Sequence, residues 1–514
     1  MIKILDCTIR DGGYYTNWDF DKTLVDQYIF STNELPIDYL EVGYRSYPMK
    51  GYLGKYFYAP IYELENLKKN SIKKLVIILN EKDIRLEHIN DLLGPIVGII
   101  DMVRIAIDPE HLGRALILAE GVKKMGFEVG FNVMYMSKWS QYGNFISELK
   151  NVDSIADYFY MVDSFGGVYP KDVIETIDLV RSNTSCKLGF HGHNNLELAL
   201  INTLTAIEHG VDIVDATISG MGRGAGNLKT ELLLTALNAK EGLDVNFNAL
   251  GTVVNAFDGL LEKYQWGTNL PYMISGSNSL PQKDVMDWVT TRFYSFNSII
   301  RALQNQKAKV KDNERLPVFE AKDTASEVLI IGGGKTAVEH AQGLIELIKS
   351  KPELIVIHAS SKNATHYKGL ANKQIFCLVG SEGHRLEKAF EDLGEFDGLC
   401  VLPPFPRKMG TYVPSSVKEK SFELAFIDFT EKHKDSHTAL ALQTAISLNA
   451  NKVFVAGYDG YQDGPISQKE RDLTNENESL FQLFNDKIST LVSLTPSVYS
   501  KLKNDSIYSL IYGK

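Results

Sequence analysis

Eight short apolar, β-branched runs recur through the first part of this chain, at residues 2-6, 38-43, 74-79, 102-107, 127-134, 157-163, 187-193 and 211-218. Each is followed by a helical pattern or by a loop leading into one, with typical helices expected at 111-126, 170-183 and 195-210. Strands that alternate with helices form parallel β/α units. Eight such units in about 220 residues predict a (β/α)8 TIM barrel. The helix at 170-183 opens on Pro170, which suits a first helical turn because no N–H is needed there.

At 514 residues the chain is longer than one hydrophobic core usually serves. The barrel is assigned to 1-243. Residues 244-306 are helical in pattern, with aromatic turns around Trp266 and Tyr272, and read as a helical extension packing on the barrel or on a second subunit. Residues 307-326 are charged, carry Pro317 and lack apolar periodicity, so they read as a linker. Residues 327-514 read as a Rossmann-like open α/β domain, with strands at 327-331, 354-359, 374-380, 398-402, 423-429 and 452-457 and a helix at 437-449.

The formal net charge of -10 argues against a nucleic-acid or anionic-membrane partner, since both call for a basic surface. There is no apolar run of 18 residues and no signal-peptide pattern, so a cytoplasmic enzyme is expected. Cys7, Cys186, Cys377 and Cys400 are scattered without a C-x-x-C pair and read as reduced thiols.

Two motifs carry chemistry. Asp6-Cys-Thr-Ile-Arg-Asp-Gly-Gly13 follows the first strand, and His191-Gly-His-Asn-Asn195 ends the seventh. Residues two apart on a strand share a face, so His191 and His193 can offer two imidazoles to one ion, and Asp11 adds a hard oxygen. That donor set suits an open divalent site, with Mn²⁺ or Mg²⁺ expected and Zn²⁺ or Fe²⁺ as alternatives. Arg10 is a permanent cation able to hold an oxygen that turns negative during reaction. An isolated H-x-H is more often a surface or core feature; what separates this one is its place at a strand's C-terminal end, where barrel active sites lie. Glu41 on strand two, Asn132 on strand five, and Asp163 with Ser164 ending strand six fall on the same face of the barrel. After strand eight comes Ser219-Gly-Met-Gly-Arg-Gly-Ala-Gly-Asn227, whose glycines either turn N–H groups toward an anion or pack close under the site.

In the second domain Gly332-Gly-Gly334-Lys-Thr-Ala337 fits G-x-G-x-x-A after a strand, an arrangement that can set a phosphate on a helix N-terminus. It is no P-loop, because Leu329 stands where the first glycine belongs. The acid expected for a nicotinamide ribose is absent from Ile357-His-Ala-Ser360, which disfavours NAD. Gly332, Gly334 and Asp459 are thus candidates for a nucleotide or nucleotide-sugar site, with a structural tight turn the equal alternative.

Together Asp6-Cys-Thr-Ile-Arg-Asp-Gly12, Asp163-Ser-Phe-Gly-Gly167, His191-Gly-His-Asn-Asn195 and Gly220-Met-Gly-Arg-Gly-Ala-Gly-Asn227 resemble the DRE-TIM metallolyase superfamily, over about residues 1-300. In flavour the chain is most similar to 4-hydroxy-2-oxovalerate aldolases. The resemblance implies Asp11, His191 and His193 as metal ligands, Arg10 as the enolate's cation, and Ser164, Asn132 and Glu41 as substrate-binding residues. It implies a carbon-carbon lyase joining pyruvate or a related 2-oxo acid to an aldehyde, and a homo-oligomer. Where the aldolases carry a histidine base, this chain has Tyr14, a poor base at its reference pKa near ~10. Tyr14 is therefore an acid, a binding group or a packing residue at the barrel mouth. A Claisen-type acyl-CoA synthase on the same barrel, and a nucleotide-binding transferase in the second domain, are the alternative functions.

Overall fold

A computed structural model describes residues 2–290, 296–309, 314–321, 325–391, 393, 396–407, 411–461 and 468–512 of the chain. Two compact units divide it, Met1–Thr291 and Arg292–Lys514. The first unit contains a closed eight-stranded barrel: β1 (Lys3–Asp6), β2 (Tyr39–Tyr44), β3 (Lys74–Asn80), β4 (Met102–Ile107), β5 (Glu128–Val133), β6 (Tyr158–Asp163), β7 (Lys187–Gly192) and β8 (Ile213–Ala216). Neighbours are parallel throughout, and β1 pairs with both β2 and β8, Lys3 facing Ile213 and Asp6 facing Ala216.

Period-two alternation decides what faces the barrel axis. Along β4, Val103, Ile105 and Ile107 join the apolar layer between strands and helices, whereas Met102 clusters inside with Leu5, Tyr39, Val76, Tyr158, Tyr160 and Ile213. Arg104 shares Met102's inward face and is fully buried, its guanidinium 4.0 Å from the Tyr160 ring centre. Two glycines make room for this pair. A Cβ at Gly189 would lie 2.4 Å from the Tyr160 ring, and one at Gly130 would lie 3.0 Å from Arg104 Cγ.

The helices begin close to where the sequence pattern sets them, at Leu112–Lys124 and Pro170–Arg181. The third, Ala199–Glu208, starts four residues later than expected. Asn194 and Asn195 are spent on a loop instead. Asn195 ties that loop to the extension, donating to the Tyr272 carbonyl at 2.9 Å and accepting from Gln282 Nε2 at 2.7 Å. Helices Phe247–Tyr264, Leu270–Ser277 and Gln282–Thr290 thus belong with the barrel, but Phe296–Ala308, which the sequence grouped with them, falls in the second unit.

The second unit holds β9 (Glu327–Ile331), β10 (Ile355–His358), β11 (Gln374–Cys377), β12 (Leu399–Leu402), β13 (Ser421–Glu423), β14 (Lys452–Ala456), β15 (Val492–Ser493) and β16 (Lys503–Asn504). They form one parallel sheet in the order β13-β12-β11-β10-β9-β14-β15-β16. Val328 and Ile330 pack on one face with the helix His437–Ser447, and Leu329 and Ile331 on the other with Ala341–Ser350, so both faces are covered. The run at 423-429 is a strand only as far as Glu423. The expected linker is partly recruited as structure: Phe319 N–H donates to the Glu423 carbonyl at 2.8 Å and Glu423 N–H to Pro317 at 2.9 Å. Residues 310–313 and 322–324 of that linker lie outside the described residues. No helix among the described residues is long and apolar enough to cross a membrane.

Replacing Gly189 by alanine forces the Tyr160 ring off Arg104. It is expected to destabilise the barrel by about 2 kcal/mol and to lower its thermal midpoint by about 5 °C, read by calorimetry. An unchanged midpoint would mean that the ring moves freely and that Gly189 is not what seats Arg104.

Candidate metal centre

Arg10, Asp11 and Tyr14 sit in a nine-residue helix, Thr8–Thr16, that begins two residues past the end of β1. Cys7 N–H donates to the Ala216 carbonyl at 3.0 Å, which carries the barrel closure into this helix. Asp6 locks the same turn: its Oδ1 accepts from Thr8 N–H at 3.0 Å and from Tyr28 hydroxyl at 2.6 Å, and its Oδ2 from Thr230 hydroxyl at 2.6 Å.

Asp11, His191 and His193 converge on one cavity of about 70 Å³, also lined by Arg10, Tyr14, Tyr44, Asn132, Ser164 and Arg223. His191 Nδ1 donates to Asp215 Oδ2 at 2.8 Å, which leaves its Nε2 lone pair 3.7 Å from Asp11 Oδ2. His193 Nδ1 donates to the Asp163 carbonyl at 2.8 Å, and the two imidazole centres are 5.0 Å apart. A histidine whose Nδ1 is held by a carboxylate or carbonyl presents Nε2 to an ion. Burial, and then His191, push the His193 pKa down to about 3, so it stays neutral as a ligand must be. Burial pushes Asp11 up, but Arg10 and then the two histidines outweigh it and hold the carboxylate below its ordinary range.

Asn227, which the sequence motifs left unassigned, completes this set. Its Nδ2 donates to Asp11 Oδ2 at 2.7 Å, while its buried Oδ1 has no hydrogen-bond partner. An unpartnered buried amide oxygen on a residue that holds the Asp11 carboxylate is a donor a divalent cation could satisfy. Charge points the same way, since the linked network of Asp11, Glu41 and Asp215 with Arg10 and Arg104 contains three carboxylates and two guanidiniums. Cys7 Sγ lies within 4.8 Å of ligand atoms of Asp11 and His191, a tighter group than His193 joins, but burial and Asp11 push its thiol far up, and it donates weakly to Asp11 Oδ2 at 3.7 Å. It supports the carboxylate as a thiol and is no match for a hard cation.

Glu41, expected to bind substrate, does not line the cavity. A bulge between Glu41 and Gly43 in β2 turns it beneath the site, where Oε2 takes Arg10 Nε at 2.6 Å and lies 3.4 Å from Arg104 Nη1. Arg104 Nη2 continues to Asp215 at 2.6 Å and its Nε to Asn132 Oδ1 at 2.7 Å. Arg10 is thus aimed by two carboxylates, Glu41 and Asp11. Ser164 Oγ lines the cavity and accepts Tyr135 N–H at 2.9 Å. Tyr14 shares a hydrogen bond with Tyr44 at 3.1 Å between hydroxyls. The glycines after β8 serve close packing: a Cβ at Gly226 would lie 2.3 Å from the Gly220 carbonyl oxygen.

In the second unit a larger cavity, about 690 Å³, lies at the C-terminal ends of β9, β10 and β14, where the strand order reverses. Gly332, Gly334 and Asp459 line it, but not as a phosphate cradle. Gly332 N–H donates to the Ala456 carbonyl at 2.8 Å, Gly334 N–H to the Gly457 carbonyl at 2.8 Å, and Thr336 N–H to Asp459 Oδ2 at 3.0 Å. Three N–H groups of the turn are thus engaged within the protein, and the Asp459 carboxylate lies against the third. Strand-then-glycine patterning could not reveal which acceptor those N–H groups face.

The first unit is therefore a β/α barrel with a carboxylate-bis-imidazole centre at the C-terminal ends of its strands. Residues 108–255 match the HMGL-like family model. The chain is 32% identical over 266 residues to the 4-hydroxy-2-oxovalerate aldolase of Thermomicrobium roseum, covering 47% of this chain and 69% of that one. It is 28% identical over 245 residues to the oxaloacetate decarboxylase of Mycobacterium tuberculosis, covering 46% and 70%. The crystal structure of the N-terminal domain of a candidate aldolase from Bacteroides vulgatus is 62% identical with a TM-score of 0.56, covering 59% of this chain and all of that one. The chain belongs to the HMGL-like family and, with it, to the carbon-carbon lyases.

Calorimetric titration with Mn²⁺ is expected to show one site per chain. Asp11→Ala and His191→Ala should abolish it, and Asp215→Asn should weaken it about 10- to 100-fold by releasing the His191 ring. Full affinity in Asp215→Asn would remove that carboxylate from the site's support. For the second unit, millimolar ATP is expected to leave the thermal midpoint of the chain unchanged; a rise of several degrees would restore a phosphate role for Gly332 and Gly334.

Proposed function

We propose that the barrel reversibly cleaves a 4-hydroxy-2-oxo acid into pyruvate, or a related 2-oxo acid, and an aldehyde. The observation that carries this reading is convergence: Arg10, the Asp11-His191-His193 set and Ser164 open on one small cavity. About 70 Å³ suits a compact acid and not a bulky one. The matched relatives include an aldolase and a decarboxylase, two reactions that share an enolate of a 2-oxo acid.

Asp11, His191, His193 and Asn227 would hold the divalent ion, Mn²⁺ or Mg²⁺ by its hard oxygen and imidazole donors. Such an ion supplies Lewis acidity to the keto oxygen and carboxylate of a 2-oxo acid. Arg10 has two of its nitrogens committed to Glu41 and Asp11, and Nη2 is left for an oxygen that gains charge as the carbon-carbon bond breaks. Ser164 and Asn132 line the wall where the substrate carboxylate is held. In cleavage the 4-hydroxyl loses its proton, the bond between C3 and C4 breaks, and its electrons pass to the keto oxygen; C3 then takes a proton. Tyr14, paired with Tyr44, binds the 4-hydroxyl oxygen in this reading, and the proton leaves to solvent water. The second unit reads as Rossmann-like, with its cavity at the reversal of strand order, the position at which open α/β sheets bind ligands.

Incubation of the full chain with pyruvate and Mg²⁺ in D₂O should introduce deuterium at the pyruvate methyl, followed by mass spectrometry. Asp11→Ala and His191→Ala should lose the exchange, and Arg10→Lys should slow it by about 100- to 1000-fold. Exchange that persists without metal, or in Asp11→Ala, would sink the reading.

A further inference from the structure

We propose that Arg223 is the specificity-determining contact for a second anionic group on the substrate, so that the aldehyde partner carries a carboxylate or a phosphate. The inference rests on the enolate reading of the barrel and names the class of its second substrate.

Arg223 stands apart from the other sequestered arginines. Arg10 and Arg104 each meet two carboxylates, Arg407 meets Glu423, and Arg45 donates to the Leu92, Tyr58 and Ala59 carbonyls. The Arg223 side chain has no hydrogen bond or ion pair among the described residues. Its guanidinium lies against the Tyr14 ring, 4.9 Å from the centroid, and it is partly withdrawn from water. A guanidinium partly withdrawn from water with no counter-ion beside it gains from an anion that arrives to share the site.

Its position is fixed from three sides. It lines the same cavity as Asp11, His191 and His193. Its charge acts on His193 after β7 and on Tyr135 after β5, so it stands over the mouth shared by those strand ends. The loop that carries it is braced: the Gly224 carbonyl accepts from Tyr15 hydroxyl at 3.2 Å and Gly267 N–H at 3.3 Å, and the Ser219 carbonyl from Trp266 Nε1 at 2.9 Å. The Gly226 carbonyl accepts Asn194 N–H at 2.9 Å. A loop pinned on both sides of Arg223 presents a preorganised cation, which recognises an anion at little ordering cost.

The 2-oxo acid does not need this residue. Its carboxylate and keto oxygen would be met by Arg10, Ser164 and a metal held by Asp11, His191 and His193, all more buried than Arg223. A group bonded to the far side of the new carbon-carbon bond is the part of the substrate that reaches the mouth. In the joining direction pyruvate C3 loses a proton and bonds to the aldehyde carbon, and the aldehyde oxygen takes a proton. No other reactant enters, and Arg223 touches none of the reacting bonds.

The test compares anionic and neutral aldehydes on the full chain with Mg²⁺ and pyruvate: glyoxylate against acetaldehyde, and glycolaldehyde phosphate against glycolaldehyde. At least one anionic member should be preferred, by about 10- to 100-fold in kcat/KM, as expected for a hydrogen-bonded charge. The glyoxylate pair reports a carboxylate and the glycolaldehyde pair a phosphate. Arg223→Gln should collapse the preference toward unity, and Arg223→Lys, which keeps the charge, should retain part of it. Equal use of neutral and anionic aldehydes by the wild type, or a preference that survives Arg223→Gln, overturns the inference while methyl exchange with pyruvate leaves the enolate reading standing. A rise in KM for pyruvate alone in Arg223→Gln overturns it too, by assigning the cation to the 2-oxo acid. Absence of methyl exchange in the wild type overturns both.

Discussion

Arg104 sits in the barrel axis with no exposure to solvent, and the site above it depends on how that charge is neutralised. Glu41 and Asp215 flank it from β2 and β8, and Asn132 takes its Nε from β5. Each of those partners then acts upward. Asp215 fixes the His191 ring, and Glu41 aims Arg10, which in turn holds Asp11. A buried ion pair adds little net stability, because desolvation offsets attraction. Its value here is geometric: every ionic partner has few places it can go, so the donors are oriented before any ligand binds. Removal of one member would strand another charge in the core, which ties the site's shape to the fold's integrity.

The barrel itself was legible because its cause is local. Strand alternation and helix periodicity are properties of short windows, and the motifs fell at strand C-terminal ends where a barrel gathers them. Asp11, His191 and His193 are brought to one cavity by that rule alone. The supporting layer was not legible, for a physical reason. Arg104 and Asp215 are 111 residues apart and meet across the barrel interior, so nothing near either residue announces the pair. Glu41 shows the converse limit, since being on the right strand does not say whether a side chain lines the cavity or, as here, meets Arg10 and Arg104. Asn227 had a signal, an amide ending a glycine run after the last strand, but its orphaned oxygen becomes visible only once Asp11 stands beside it.

The second unit teaches the same lesson with opposite sign. Gly332 and Gly334 follow a strand and precede a helical turn, as a phosphate loop does. What sets their use is β14, more than a hundred residues later: the Ala456 and Gly457 carbonyls at its end take the Gly332 and Gly334 N–H groups, and Asp459 takes that of Thr336. Glycine was needed there for contact between two backbones: a Cβ at Gly332 would come within 2.6 Å of the Gly457 carbonyl. β15 and β16, two residues each, are too short to leave any pattern, and exist because the sheet edge templates them.

Three arginines at three depths order the first unit's chemistry. Arg104, wholly enclosed, is neutralised by two carboxylates and is structural. Arg10, at the cavity wall, is paired on two nitrogens, and in the proposed reaction its third meets an oxygen that becomes negative. Arg223, at the mouth, has no counter-charge among the described residues and lies on an aromatic face. Moving outward, the protein supplies progressively less of the negative charge that each cation requires. What it does not supply must come from solution, and at the mouth the groups free to bring it are those of the substrate.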